Sequence, residues 1–399
     1  MLRYLKTVTL AVLALAVVVL WCADASALSD KGYKALHNFS KVLHFIEENY
    51  VSEVDDQKLL QGAVQGMVST LDSHSVYMSP EINRELKVDT SGRFDGVGIE
   101  VGIRDGYLVV VAPIKDSPAA RAGIRAGDKI VRINGKATKD MNLGEAVTKM
   151  RGRRGSKATL TIVRDGAKPF NVSITRQIIN VPSVSSELLP GGIGYISISS
   201  FQQDTSKSVN KALERMSEKE PLRAVILDLR HNPGGLLEQA VEVSDLFLSE
   251  GVIVTTDNKG KEVDRREAHP EGTQPDYPMI VLLDEGSASA AEIVAGALKD
   301  NGRAKVMGKK SFGKGSVQTV IDLDDGAGLK ITVAYYRTPS GRIIHDQGIM
   351  PDMEVEAKPP KVKVEGEDGV KEIDAPKIDY QKRRAIDYLE TRVERTETN

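Results

Sequence analysis

Ser289 and Lys314 are the two residues of this chain whose surroundings suit covalent chemistry. Met279-Ile-Val-Leu-Leu-Asp-Glu-Gly-Ser-Ala-Ser289-Ala-Ala-Glu-Ile-Val reads as a buried strand, a small-residue turn and a helix start, with Ser289 on the turn. A serine hydroxyl attacks a carbonyl only when a base removes its proton, so the question is which base the chain supplies. His231, His269 and His345 lie in turn-like surroundings with no partner pattern. Lysine is the other solution, provided burial lowers its pKa from about 10.4 toward roughly 7 to 8. Lys314, in Phe312-Gly-Lys314-Gly-Ser-Val-Gln318, fits: glycines flank it, an apolar strand follows, and no acidic residue is nearer along the chain on that side than Asp322.

On an extended Lys314–Gln318 segment, even separations share a face, which puts Gln318 and Ser316 beside the lysine. A neutral amide orients the amine without raising its pKa, as a carboxylate would. A tetrahedral intermediate also needs donors for its oxyanion. The helix beginning near Ser289 offers the N–H of Ala290 and the positive end of its dipole. For the second donor, Asp228-Leu-Arg-His-Asn-Pro-Gly234-Gly235 leaves a buried strand, and its paired glycines can bring bare backbone close to a substrate carbonyl; Gly235 is the candidate, with Gly234 beside it.

Elements must hold these groups in place, and 399 residues suffice for two or three domains. Hydrophobic residues at 41% and charged residues at 28% are ordinary for a globular protein, and a net charge of −2 disfavours a nucleic-acid partner. Residues 1–27 have the composition of a cleaved export signal: Arg3 and Lys6, an apolar run from Val8 to Ala23, then Ala25-Ser-Ala27, with the cut expected after Ala27. At about 16 residues the run is short for a bilayer span, which takes roughly 20. The chain is therefore expected to be exported, periplasmic or otherwise extracytoplasmic, with membrane attachment through an uncleaved N-terminus left open. The single cysteine, Cys22, lies in that segment, so the remainder has no disulfides, thiol nucleophiles or cysteine metal sites.

Residues 28–90 carry helical spacing, with Leu36, Phe39, Val42, Leu43 and Ile46 on one stripe and Leu59, Leu60, Val64 and Met67 on another. They are expected to form a helical arm for packing or self-association, and His37, His44 and His74 show no metal-ligand spacing. Residues 91–175 are strand-rich with glycine punctuation: Phe94-Asp-Gly96-Val97-Gly98-Ile99, Ala122-Gly-Ile, Gly127-Asp128 and the hairpin signal Asn134-Gly135, then a helix capped by Asn142. In this order the motifs resemble a PDZ domain. N–H groups around Gly96, Val97, Gly98 and Ile99 would converge on a terminal carboxylate, and the peptide would add as a strand beside Ile99 to Ile103.

From residue 192 strands and helices alternate, the mark of an α/β layer, with the catalytic domain expected over 176–358. Lys358-Pro-Pro-Lys-Val-Lys-Val-Glu-Gly-Glu-Asp-Gly is poor in apolar residues and reads as a mobile linker, ahead of a charged helix near 379–394; together they make up a tail, 359–399.

Asp228-Leu-Arg-His-Asn-Pro-Gly-Gly, Gly286-Ser-Ala-Ser-Ala-Ala-Glu-Ile and Phe312-Gly-Lys-Gly-Ser-Val-Gln, in this order after a PDZ-like module, resemble the marks of the carboxy-terminal processing peptidases, or tail-specific proteases. The resemblance runs from about residue 35 to 355 and takes in Leu71-Asp-Ser-His-Ser-Val-Tyr77. His231 fills a variable position and Ala291 replaces a frequent serine. The resemblance implies Ser289 as nucleophile, Lys314 as base and Gln318 as its partner. It further implies a crotonase-like α/β core, with the PDZ-like domain inserted and the helical arm before it, no metal or other cofactor, and protein or peptide substrates with apolar C-terminal tails. Whether the chain self-associates stays open.

Two other readings compete. Gly308-Lys-Lys-Ser-Phe-Gly-Lys314-Gly315 nearly spells a phosphate-cradling loop, but Gly315 stands where a magnesium-holding Ser or Thr belongs, and a strand follows where a helix should. The stronger rival is a non-catalytic, exported PDZ peptide-binding scaffold, in which the serine turn is only a helix start and Lys314 a surface charge.

Overall fold

The structure, a computed structural model, describes residues 29–104, 106–139, 141–358, 362–366, 369–373 and 378–397. The expected export signal, its cut after Ala27 and Cys22 lie outside the described residues. The chain divides into two compact units, 1–77 and 78–399.

In the first unit, helices Asp30–Asn49 and Asp56–Ser69 start at Ser29 and Asp55, whose side chains accept N–H groups of the first turn. Leu36, Phe39 and Val42 remain exposed on the longer helix, and Leu60 and Met67 on the shorter.

The second unit opens with helix Pro80–Ser91, which ends at Gly92 in the left-handed region (φ 66°). A β-rich domain follows. Strands Ile99–Arg104, Tyr107–Pro113, Lys129–Ile133, Lys157–Val163 and Phe170–Thr175 pair antiparallel in that spatial order, which leaves Ile99–Arg104 at an edge. Asn134 and Gly135, at φ 49° and 80°, make the expected tight turn. Helix Leu143–Met150 is capped by Asn142, whose Oδ1 accepts Glu145 N–H at 2.8 Å, and buries Ala146 and Met150 against Leu108, Ile130, Leu160 and Ile162. A two-stranded neck, Arg93–Gly96 against Gln177–Asn180, closes the insertion.

Beyond the neck a six-stranded sheet is built from Val184–Leu189, Ile193–Ile198, Ala224–Asp228, Met279–Leu283, Lys305–Gly308 and Met353–Glu354; only the first pairing is antiparallel. Its central strands are nearly continuous apolar runs because both faces are covered. Val225, Leu227 and Val281 face helices Thr205–Ser217, Leu237–Asp245 and Ala290–Asp300, whereas Ala224, Ile226 and Ile280 face Ala385, Leu389 and Val393 of the C-terminal helix Tyr380–Glu397. That helix completes the sheet's second face. Ending the catalytic domain at residue 358 would leave the face bare.

A second sheet joins Lys261–Glu267, Val252–Asn258, Gly328–Arg337 and Ser316–Asp322. One expectation needs correction: the segment read as a mobile linker contains a hairpin, Val362–Gly366 paired antiparallel with Gly369–Ile373. Strand pairing is satisfied by backbone groups, so the scarcity of apolar residues did not preclude it.

Candidate active site

The loop after strand Ala224–Asp228 is fixed at nearly every residue. Leu229 O accepts the Ser287 hydroxyl at 2.8 Å, and His231 N–H reaches Asp284 Oδ1 at 2.8 Å. Fully buried Asn232 does three things at once. Its Oδ1 accepts Gly234 N–H at 2.8 Å, its Nδ2 donates to Ile198 O at 2.8 Å, and its own carbonyl accepts Ala288 N–H at 2.9 Å. The turn it holds is compressed against Ser289. A Cβ on Gly234 (φ 104°) would lie 2.8 Å from Ser289 Cβ and 3.0 Å from Ala290 N, and one on Gly235 (φ 140°) 2.2 Å from Phe201 O. Only glycine fits either position.

Ser289 sits at the junction of turn and helix with φ 54° and ψ −113°, a region rarely occupied by residues with a side chain. Ala290 is the first residue of the helix. Among the described residues, neither Ala290 N–H nor Gly235 N–H donates to a backbone carbonyl outside the regular elements. The Gly234-Gly235 turn and the start of the serine helix thus bring backbone donors to one place, as an oxyanion site requires.

Lys314 meets this site through a carboxylate for which the sequence reading had assigned no role. Glu292, fully buried, accepts Ser289 N–H at 2.7 Å and Lys314 N–H at 2.9 Å, both on Oε2. The two backbone nitrogens can therefore be no farther apart than those two bonds laid end to end. Oε1 accepts Gly313 N–H and the Ser311 hydroxyl, each at 2.6 Å. Burial pushes the Glu292 carboxyl up, and the four donors oppose that rise. With four donors on its two oxygens, an ionised carboxylate has every lone pair used.

Burial lowers the Lys314 ammonium pKa from its ordinary value; Lys330 adds to the drop and Glu292 opposes it. Among the described residues, Lys314 Nζ has no hydrogen bond or ion pair, so Glu292 favours its charged form only through its charge. The absence of acidic neighbours along the chain was a poor guide here, because Glu292 arrives from a different helix.

Gln318 is close to the lysine in sequence, yet its amide Nε2 donates to Ser316 Oγ at 2.7 Å and to Ser316 O at 3.1 Å. The regular strand begins only at Ser316, and the register slips between Val317 and Gln318. The extra residue, Val333, lies on the partner strand, so alternation is kept from Ser316 to Gln318. The strand at Ser316–Asp322 also removes the phosphate-loop reading, which needs a helix there.

His231 is 88% exposed, with Nδ1 2.7 Å from Asp284 Oδ2. Among the described residues, no group of three or more His, Cys, Asp or Glu side chains is arranged to hold a metal ion.

In the β-rich domain, Val97 O accepts Ala119 N–H at 2.9 Å and Gly98 O accepts Ile114 N–H at 3.0 Å. Among the described residues, the N–H groups of Val97 and Gly98 donate to no backbone carbonyl outside the regular elements. Gly98 (φ 79°) packs so closely that a Cβ would lie 2.3 Å from Ser117 Cβ. Gly96, Val97, Gly98 and Ile99 line a groove of about 240 Å³ with Val147 and Met150. Phe94 and Arg151, stacked 4.8 Å apart, border both this groove and a second cleft of about 460 Å³ that ends at Gly234 and Gly235.

Sequence reasoning missed the supporting polar residues Glu292, Asn232 and Asp284. A signal existed for the first: Ser289-x-x-Glu292 has the spacing of a capping box, in which the acid reaches back to the cap's N–H.

Residues 192–355 match the family model of peptidase family S41, residues 109–164 that of a PDZ domain, and residues 22–82 that of the activating protease CtpB N-terminal domain. The matches define a serine-type peptidase that carries a PDZ domain. A carboxy-terminal-processing protease of Bartonella bacilliformis is 45% identical over 334 residues, 82% of this chain and 77% of its own. The carboxy-terminal processing protease CtpA of Bacillus subtilis is 39% identical over 354 residues, 87% of this chain and 75% of its own. A solved photosystem II D1 C-terminal processing protease is 29% identical, covering 80% of this chain and 92% of that one with a TM-score of 0.49. The chain belongs to the carboxy-terminal processing proteases of peptidase family S41.

Proposed function

We propose that the chain hydrolyses peptide bonds with a Ser289–Lys314 dyad on substrates captured by their C-terminal tails. The observation that carries this reading is the shared Glu292 oxygen, which ties the backbone of the nucleophile to that of the base. Neutral Lys314 takes the Ser289 proton as Oγ attacks the scissile carbonyl. The N–H groups of Gly235 and Ala290 stabilise the resulting oxyanion, and the lysine returns the proton to the departing amine. Gln318 acts on the amine together with Ser316, to which it is bonded. Water then releases the acyl group by the same proton transfers.

In this reading residues 91–175 bind the tail, its carboxylate at Gly96–Ile99 and its strand along the open edge, and 176–358 form a crotonase-like catalytic domain to which the C-terminal helix adds. The shared border at Phe94 and Arg151 supports passage from tail groove to catalytic cleft, so that capture gates cutting. The exposed apolar stripe of helix Asp30–Asn49 supports a helical arm for self-association. The leader-like composition of residues 1–27 supports action outside the cytoplasm; among the described residues no helix is long and apolar enough to cross a membrane.

The test is cleavage of an unstructured peptide with an apolar C-terminus by protein lacking residues 1–27, with the tail either free or amidated. We expect wild type to cut the free acid faster than the amide, and Ser289→Ala to bind the tail without cutting. A wild type that binds but never cuts would revive the scaffold reading, and equal kinetics on both peptides would remove tail capture.

A further inference from the structure

We infer that Asp379 and Gln381, at the head of the C-terminal helix and beyond the segment matched by the peptidase family, are positioning residues for the oxyanion loop and act through Arg230. The inference rests on the reading of Gly235 as an oxyanion donor.

Arg230 stands between the end of the central strand and the Gly234-Gly235 turn. Its side chain is only 15% exposed, and all five of its donor hydrogens have acceptors. Nε and Nη2 hold Asp228, at 2.9 Å to Oδ1 and 2.6 Å to Oδ2. Nη1 and Nη2 grip both oxygens of Asp379, at 2.8 and 2.7 Å, and Nη1 also reaches Gln381 Oε1 at 3.1 Å. Three of the five bonds therefore come from the C-terminal segment.

The partners are themselves held. Asp379 Oδ1 accepts Lys382 N–H at 3.0 Å at the start of the helix, and Gln381, almost fully buried, donates to Val355 O at 2.8 Å. Lys382 lies 3.8 Å from the centre of the Tyr195 ring, and the Tyr195 hydroxyl donates to Asp228 Oδ2 at 2.7 Å. A helix packed on one face of the sheet thus reaches around the strand ends to the loop that carries the oxyanion glycines. A planar guanidinium gripped bidentately on two sides has one allowed orientation. Without Asp379 it keeps only Asp228 and Gln381, and residues 229–235 lose their outer anchor. Oxyanion donors act only from a narrow range of positions, so the cost should fall on the chemical step and leave substrate binding intact.

The test uses the full chain with Asp379→Ala, Gln381→Ala, the double variant, Asp379→Glu and Arg230→Met, on a tailed peptide. We expect kcat to fall about tenfold in Asp379→Ala, with KM and tail affinity within about twofold. Asp379→Glu should recover part of the loss, and Asp379→Ala should add almost nothing in the Arg230→Met background. Should Asp379→Ala not fold, Asp379→Asn carries the same comparison. The proposal is overturned if the double variant keeps wild-type kcat, if only the melting temperature moves, or if the Asp379 effect is undiminished without Arg230. A wild type that cuts no peptide overturns the protease reading itself and is distinguishable from all of these.

Discussion

Glu292 shows how one fully buried carboxylate can gather a site. Its carboxylate collects the backbone of Ser289, Gly313 and Lys314 and the Ser311 hydroxyl, and Ser311 Oγ in turn accepts Ile349 N–H at 2.6 Å. An amide at this position would turn one of its two polar atoms into a donor facing donors. Glu292→Gln should therefore cost about 2–4 kcal/mol of stability and lower kcat on the order of a hundredfold, read by denaturant melts and peptide kinetics. An active, fully stable variant would mean that the hub is dispensable. Ser289 and Lys314 stood out in the sequence because their neighbours are small: glycines and alanines leave a hydroxyl and an amine few other roles. Glu292 was present in the same motif without a role, because three of its four partners come from a distant loop, residues 311–314.

The elements act as clamps on short loops. Strand Ala224–Asp228 delivers the glycine turn and strand Met279–Leu283 the serine turn, and their parallel pairing brings the two turns out at the same end of the sheet. Gly235 lies where a side chain would meet Phe201 O at 2.2 Å. Gly235→Ala should displace the turn, reducing kcat on the order of a hundredfold while tail binding at Gly96–Ile99 stays unchanged. Unaltered kcat in that variant would exclude the turn from the oxyanion site. Helix and strand types followed from apolar patterning, spaced at Leu143–Met150 and continuous at Met279–Leu283. The register slip opposite Val317 and Gln318 did not, because the extra residue, Val333, lies in a run of alternating residues where a bulge leaves no mark. The hairpin Val362–Gly366/Gly369–Ile373 was hidden for a related reason: its pairing needs backbone rather than apolar surface.

For the molecule as a whole, the order of segments along the chain matters as much as their structure. The insertion closed by the Arg93–Gly96/Gln177–Asn180 neck sets the groove at Gly96–Ile99 beside the cleft that ends at Gly234 and Gly235, with Phe94 and Arg151 shared by both. The C-terminal helix looked in sequence like a solvated charged tail, since the buried stripe of Ala385, Leu389 and Val393 is set among many charges. Its contribution to the catalytic sheet is a tertiary fact that periodicity alone could not assign. The central claim is that an uncharged Lys314 activates Ser289, and the pH dependence of kcat/KM on a tailed peptide tests it most directly. Because burial and Lys330 lower the lysine pKa, the neutral base forms at lower pH than for free lysine, and activity rises with pH through that depressed value. The rate should rise to a plateau with an apparent pKa well below the free-lysine value of about 10.4, and Lys314→Met should cleave at no pH. A rate still climbing steeply above about pH 10, or cleavage surviving in Lys314→Met, would contradict it.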